Sequence, residues 1–125
     1  MAIASFSLVA LDSREPRRLA EFYAALLSWP LDLENAADYW VQLRSPTGVT
    51  LAFQLAPNHV APAWPDGGSV QAHLDFDVPD LDVAEAEILE LGAIRAETQP
   101  GLDNNDSWRV YLDPDGHPFC LVRAR

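Results

Sequence analysis

Val70-Gln-Ala-His73-Leu-Asp75-Phe-Asp77-Val78 is the stretch on which the fold turns. Alternation along it puts His73, Asp75 and Asp77 on one strand face and Leu74, Phe76 and Val78 on the other. Pro79-Asp80 interrupts the strand. Asp82 and Glu85 then stand at capping-box spacing, and Leu81, Ala84, Ile88 and Leu91 form a helical stripe that Gly92 ends. The result is a strand followed by a helix, with imidazole and carboxylate groups on the strand's free face.

The same order of parts occurs nearer the N-terminus. Phe6-Ser-Leu-Val-Ala-Leu11 is an apolar, strand-forming run, and Asp12-Ser-Arg-Glu15-Pro16 supplies the polar residues and the proline of a helix start. Leu19, Phe22, Tyr23, Leu26 and Leu27 recur at helical spacing, and Pro30 stops the helix. Aligning Leu11-Asp12 with Phe76-Asp77 pairs Leu8 with His73. Each half also ends on a strand, a turn and a strand: Trp40 to Gly48 then Val49–Leu55, and Trp108 to Gly116 then Phe119–Val122. Superposing the two turn glycines sets Ala52 opposite Cys120. One more short strand is expected in each half, near Leu31–Leu33 and Ala93–Glu97.

A βαβββ module is thus written twice in an α+β chain. Residues 1–56 form the first module, the Pro- and Gly-rich stretch 57–69 is a linker carrying Trp64-Pro65, and residues 70–125 form the second; 1–125 is read as one domain. Side by side, two such modules make a curved mixed sheet of about eight strands around a cleft, with the helices outside.

Composition narrows the partners. With 8 Lys+Arg against 19 Asp+Glu, the formal charge of −11 argues against nucleic acid and anionic membrane, which would repel such a surface. A single cysteine cannot make an internal disulfide, which fits a reducing compartment. No signal-peptide pattern and no apolar run of membrane-spanning length is present, so a cytoplasmic protein is expected.

Leu19-Ala-Glu-Phe-Tyr-Ala-Ala-Leu-Leu27 with Trp29, His73 to Asp80, Leu91-Gly-Ala93 and Asp113-Pro-Asp-Gly-His-Pro-Phe-Cys-Leu121 together resemble the vicinal oxygen chelate superfamily, which includes glyoxalase, bleomycin-resistance and extradiol-dioxygenase proteins. Trp64-Pro65 is similar to an element of its glyoxalase-like subgroup. The resemblance implies the paired βαβββ fold and a homodimer. In metal-using members each module gives one ligand from its first strand and one from its last, and the matching positions here are Leu8, Ala52, His73 and Cys120. Only His73 is of the usual type.

By strand parity, Leu8, Ala10, Asp12, Trp40, Gln42, Ala52, Gln54, His73, Asp75, Cys120 and Val122 face inward, with Trp64, Trp108 and Tyr111 as nearby aromatics able to stack a planar ligand or a cation. His73 and Asp75 are the expected catalytic pair, the carboxylate fixing the imidazole for acid–base work. Gln54, Trp40, Gln42, Trp64, Trp108, Tyr111 and Cys120 are the expected ligand-binding residues. The first reading is a small-molecule pocket without a metal cofactor, acting as a binder or as a lyase or isomerase. The alternative is a metal-dependent enzyme, a lyase or dioxygenase, with a divalent ion such as zinc on His73, Gln54 and Cys120. An interaction module without a small ligand fits this cleft less well. His59 in the linker and His117 in a turn are read as solvent-facing, and Asp103-Asn-Asn-Asp106 as a polar turn or lid, since it lacks the donor spacing of a calcium loop.

Overall fold

Among the described residues the chain forms two mixed sheets, each with one helix. A computed structural model describes residues 2–65, 72–100 and 107–124. It divides into two compact units, Met1–His59 and Val60–Arg125, the division falling inside the expected linker.

In the first unit β1 (Val9–Ser13) leads into α1 (Pro16–Leu27), followed by β2 (Trp40–Arg44) and β3 (Thr50–Leu55). The sheet order is β1-β3-β2, with β1 parallel and β2 antiparallel to β3. The expected Phe6–Leu11 strand is displaced: pairing begins at Val9, and Phe6 is 78% exposed. Pro16 opens the helix where its missing N–H costs nothing, and the Ser13 hydroxyl accepts the Glu15 N–H at 2.9 Å. The helix ends on Ser28 in the left-handed conformation, two residues before Pro30. Leu19, Ala20, Phe22 and Tyr23 are buried, and the Tyr23 ring stacks on Phe53 at 5.6 Å. Removing each large side chain from water contributes about 1.5–3 kcal/mol. The short strand expected near Leu31–Leu33 is reduced to an isolated bridge between Leu31 and Leu43.

The second unit repeats the plan with β4 (Leu74–Val78), α2 (Leu81–Leu91), β5 (Ile94–Arg95), β6 (Trp108–Leu112) and β7 (Pro118–Arg123), in sheet order β4-β7-β6-β5. His73 lies one residue before β4 rather than within it. The cap of α2 differs from expectation. Asp80, not Asp82, is the N-cap and accepts the Val83 N–H at 3.0 Å, which frees Asp82 and Glu85 for pairing elsewhere. Gly92, at φ +110°, closes the helix as expected.

The hairpin turns repeat the same backbone hydrogen bonds. Ser45-Pro-Thr-Gly48-Val49 joins β2 to β3, and Asp113-Pro-Asp-Gly116-His117 joins β6 to β7. The Ser45 hydroxyl accepts the N–H groups of Thr47 and Val49, as the Asp113 carboxylate accepts those of Asp115 and His117. His117 sits in this turn and is half-buried rather than solvent-facing. Gly116, at φ +83°, also lies against Ala61, with which any added Cβ would collide, so the segment leading to Trp64 is held on this turn.

Candidate functional site

Register decides which side chains meet. Asp75 lies opposite Cys120 and Asp77 opposite Val122 across the parallel β4–β7 pair, while Val110 and Trp108 on β6 continue those two rows. Paired residues share a sheet face. The opposite face, with Phe76, Phe119, Leu121 and Tyr111, meets α2: the Tyr111 hydroxyl donates to Glu85 at 2.7 Å and Arg109 to Asp82 at 2.9 Å. The face carrying Asp75 and Cys120 is therefore free of the helix.

On that face is a cavity of about 360 Å³ lined by Trp64, His73, Asp75, Trp108, Cys120 and Val122. Its floor packs on Ala96 and Val110. His73 continues the alternation of β4, and its Nε2 is 3.2 Å from Asp75 Oδ1, with the side chains 33% and 59% exposed respectively. The Trp64 indole lies over the imidazole with ring centroids 5.4 Å apart and planes 21° from parallel. Cys120 is 3% exposed, and its thiol is pushed up to about 12, first by burial and then by the neighbouring Asp75 carboxylate. Such a thiol is protonated at neutral pH and is not an activated nucleophile. Ligand atoms of His73, Asp75 and Cys120 all lie within 4.8 Å of one another.

Five of the residues expected at the site, His73, Asp75, Trp64, Trp108 and Cys120, thus line one cavity. Tyr111 is a correction. Three residues after Trp108 on the same strand, it has the opposite parity and is fully buried against α2, where burial and Glu85 raise its pKa above the usual phenol value. Trp40, Gln42 and Gln54 lie in the first unit, on the sheet face away from α1, with Trp40 opposite Gln54 and Gln42 opposite Ala52. Gln54 Nε2 donates to Asp12 at 2.7 Å. The carbonyl of His59 accepts two bonds from Arg14. Asp103–Asp106 falls outside the described residues.

The first unit has a larger groove, about 490 Å³, lined mainly by charged groups at the start of α1, including Arg14, Arg17, Arg18 and Glu21. Arg17 pairs with Glu21 at 3.0 Å in an exposed bridge. Such solvated pairs carry little binding energy, so size alone does not make this groove the site.

The metal implied by the superfamily resemblance does not fit these residues. Of the four matching positions, Leu8 and Ala52 carry only hydrocarbon, and Ala52 sits between Ala10 and Gln42 in its sheet row. What sequence reasoning missed is Asp75 as the direct neighbour of Cys120. Parity gives a residue's face, but pairing register, which sets its cross-strand partner, is not written in either strand alone.

Comparison with known proteins follows the same lines. The sequence profile of the glyoxalase-like domain matches residues 8–122. No curated protein matches the sequence. Among solved structures, a glyoxalase/bleomycin resistance protein/dioxygenase family enzyme from Burkholderia phytofirmans is similar at TM-score 0.71 and 14% identity, over 98% of this chain and 100% of that one. A glyoxalase/dioxygenase from Nostoc punctiforme aligns at TM-score 0.68 and 17% identity, over 98% and 92%. A glyoxalase/bleomycin resistance protein from Albidiferax ferrireducens aligns at 0.64 and 21%, over 98% and 100%. At these identities the structures speak to the fold alone. No helix among the described residues is long and apolar enough to cross a membrane.

Proposed function

The chain belongs to the glyoxalase-like domain family, and on that premise we propose that it binds a small planar organic molecule in the second unit's cavity, without the superfamily's four-donor metal. The observation that carries this reading is the Trp64–His73 stack beside Asp75 in a cavity of about 360 Å³. A flat ligand gains from ring faces, and the indoles of Trp64 and Trp108 supply them. Asp75 is the only charged group among the six lining residues, so a cationic ligand is favoured over an anionic one.

His73 and Asp75 support proton transfer on the bound molecule, as a lyase or isomerase requires. In the tautomer that donates Nε2–H to Asp75, the lone pair is on Nδ1, which then accepts a proton from the ligand. The resulting imidazolium is stabilised by the carboxylate and returns the proton at another atom of the ligand. Cys120 takes no part as a nucleophile, being held as the thiol.

The test is a thermal-shift screen with planar, cationic and dicarbonyl compounds, followed by titration of the hits. Trp64→Ala is expected to weaken a hit by about tenfold, the scale of a lost ring stack. His73→Ala is expected to abolish turnover of any converted hit while leaving the melting temperature nearly unchanged, because the side chain is exposed at the cavity mouth. Hits that bind both variants as tightly as the wild type would overturn the reading, as would a screen without hits.

A further inference from the structure

We propose that residues 60–64 form a strap whose seat on the second hairpin turn sets the position of the Trp64 ring in the cavity. The seat is the Ala61 methyl against Gly116, which makes these two positioning residues for the ligand. The consequence for a ligand rests on the binding reading above; the seat itself rests on packing. Neither Ala61 nor Gly116 lines the cavity. Among the described residues, residues 60–64 take part in no hydrogen bond. Packing holds the strap instead, at Ala61 on the turn and at Trp64, which is half-buried over His73 and against Ala96, Val110 and Cys120.

The two hairpin turns isolate what Gly116 does. Gly48 and Gly116 occupy equivalent places, at φ +95° and +83°, so both turns call for a residue that tolerates the left-handed region. A Cβ added at Gly48 would meet nothing within 4 Å, whereas one added at Gly116 would collide with the Ala61 methyl. The close approach is therefore a property of the strap and not of the turn. Stiffness carries it to Trp64. The ring of Pro62 fixes its own φ and restricts Ala61 before it, so the path from Ala61 to Trp64 has little freedom. Lifting Ala61 off the turn then moves Trp64 with it. The indole leaves its place over the imidazole, where the ring centroids are 5.4 Å apart, and stacking is favourable only within about 4.5–7 Å.

The experiment uses the full chain and follows the His73 imidazole proton resonances at one fixed pH, a readout that needs no ligand. The Trp64 ring current displaces these resonances, and Trp64→Ala marks their unstacked position. Gly116→Ala is expected to move them towards that position. Gly48→Ala, with the same backbone demand and open space around it, should leave them where the wild type has them. Ala61→Gly added to Gly116→Ala should bring them back, because the next strap atom, Ala61 Cα, is 3.6 Å from the new Cβ, an ordinary contact. Ala61 is exposed, so Ala61→Val is expected to fold; it crowds Gly116 from the strap side without altering the turn, and it takes the place of Gly116→Ala if circular dichroism shows that variant unfolded. Screening hits should bind Gly116→Ala about tenfold more weakly, the scale of a lost ring stack, and bind Gly48→Ala and the rescued double variant within about twofold of the wild type. Unmoved His73 resonances in the folded variant overturn the seat, as does an equal movement in Gly48→Ala or a failure of Ala61→Gly to restore them. In each of those cases Trp64→Ala still tests the ligand-binding reading by itself. Resonances that move as expected while hits bind every variant equally support the seat and count against the function proposed above.

Discussion

Across the middle of the first sheet the side chains read Ala10, Ala52 and Gln42; across the same row of the second they read Asp75, Cys120 and Val110. The next row reads Asp12, Gln54 and Trp40 in one and Asp77, Val122 and Trp108 in the other. Backbone pairing of the three strands the units share is the same residue for residue, and both units have a side-chain-anchored turn, at Ser45 and at Asp113. What differs is the chemistry of the face turned from the helix. The framework is set by the helix-facing rows and the turns, which leaves the middle row of the other face able to carry two alanines and an amide in one unit and a carboxylate, a thiol and a valine in the next.

If the helix-facing rows bear the fold in both units, Phe53→Ala and Leu121→Ala, at equivalent positions and both fully buried, should each cost about 2–5 kcal/mol in urea unfolding. A small effect in one unit would show that the two frameworks are not equivalent. The turns come next. Asp113→Ala removes a charged acceptor for two backbone N–H groups and should cost about 2–3 kcal/mol, against about 1–2 for Ser45→Ala, which removes a neutral one. Equal losses would mean the carboxylate's charge adds nothing there.

A smaller effect is expected with pH. The Cys120 thiol titrates higher in the folded chain, at about 12, than its ordinary value of 9.0. A group whose folded pKa is raised contributes stability that is intact below its unfolded pKa and is lost as pH rises through the folded one. Stability should therefore decline between about pH 9 and pH 12, with Tyr111, also raised, contributing to the same limb. Cys120→Ala, which makes the row resemble that of Ala52, should reduce the slope, measured as the urea midpoint against pH. An unchanged slope would show that Cys120 titrates normally.

Much of the fold was readable from the sequence because its signals are local. Periodicity gave both helices, proline and glycine marked their ends, and the repeated turns aligned the two units. The short strand near Leu31 was not readable in the same way, since its reduction to one bridge depends on what lies beside it. At the site, alternation was enough to gather His73, Asp75 and Cys120 onto one face, and Trp64 was noted from its pairing with Pro65. Tyr111 does not join them, because an odd interval along the strand from Trp108 reverses the face. The Asp75–Cys120 contact depends on a pairing between residues far apart in the chain, which no local pattern encodes.

The central claim is that the second unit's cavity, with His73 and Trp64 as its walls, receives the ligand. It is tested most directly by following the His73 imidazole and Trp64 indole resonances by NMR while a screening hit is titrated in. The account predicts that both sets of resonances move together and saturate at the same ligand concentration. A hit that saturates the protein while both sets stay in place would contradict it.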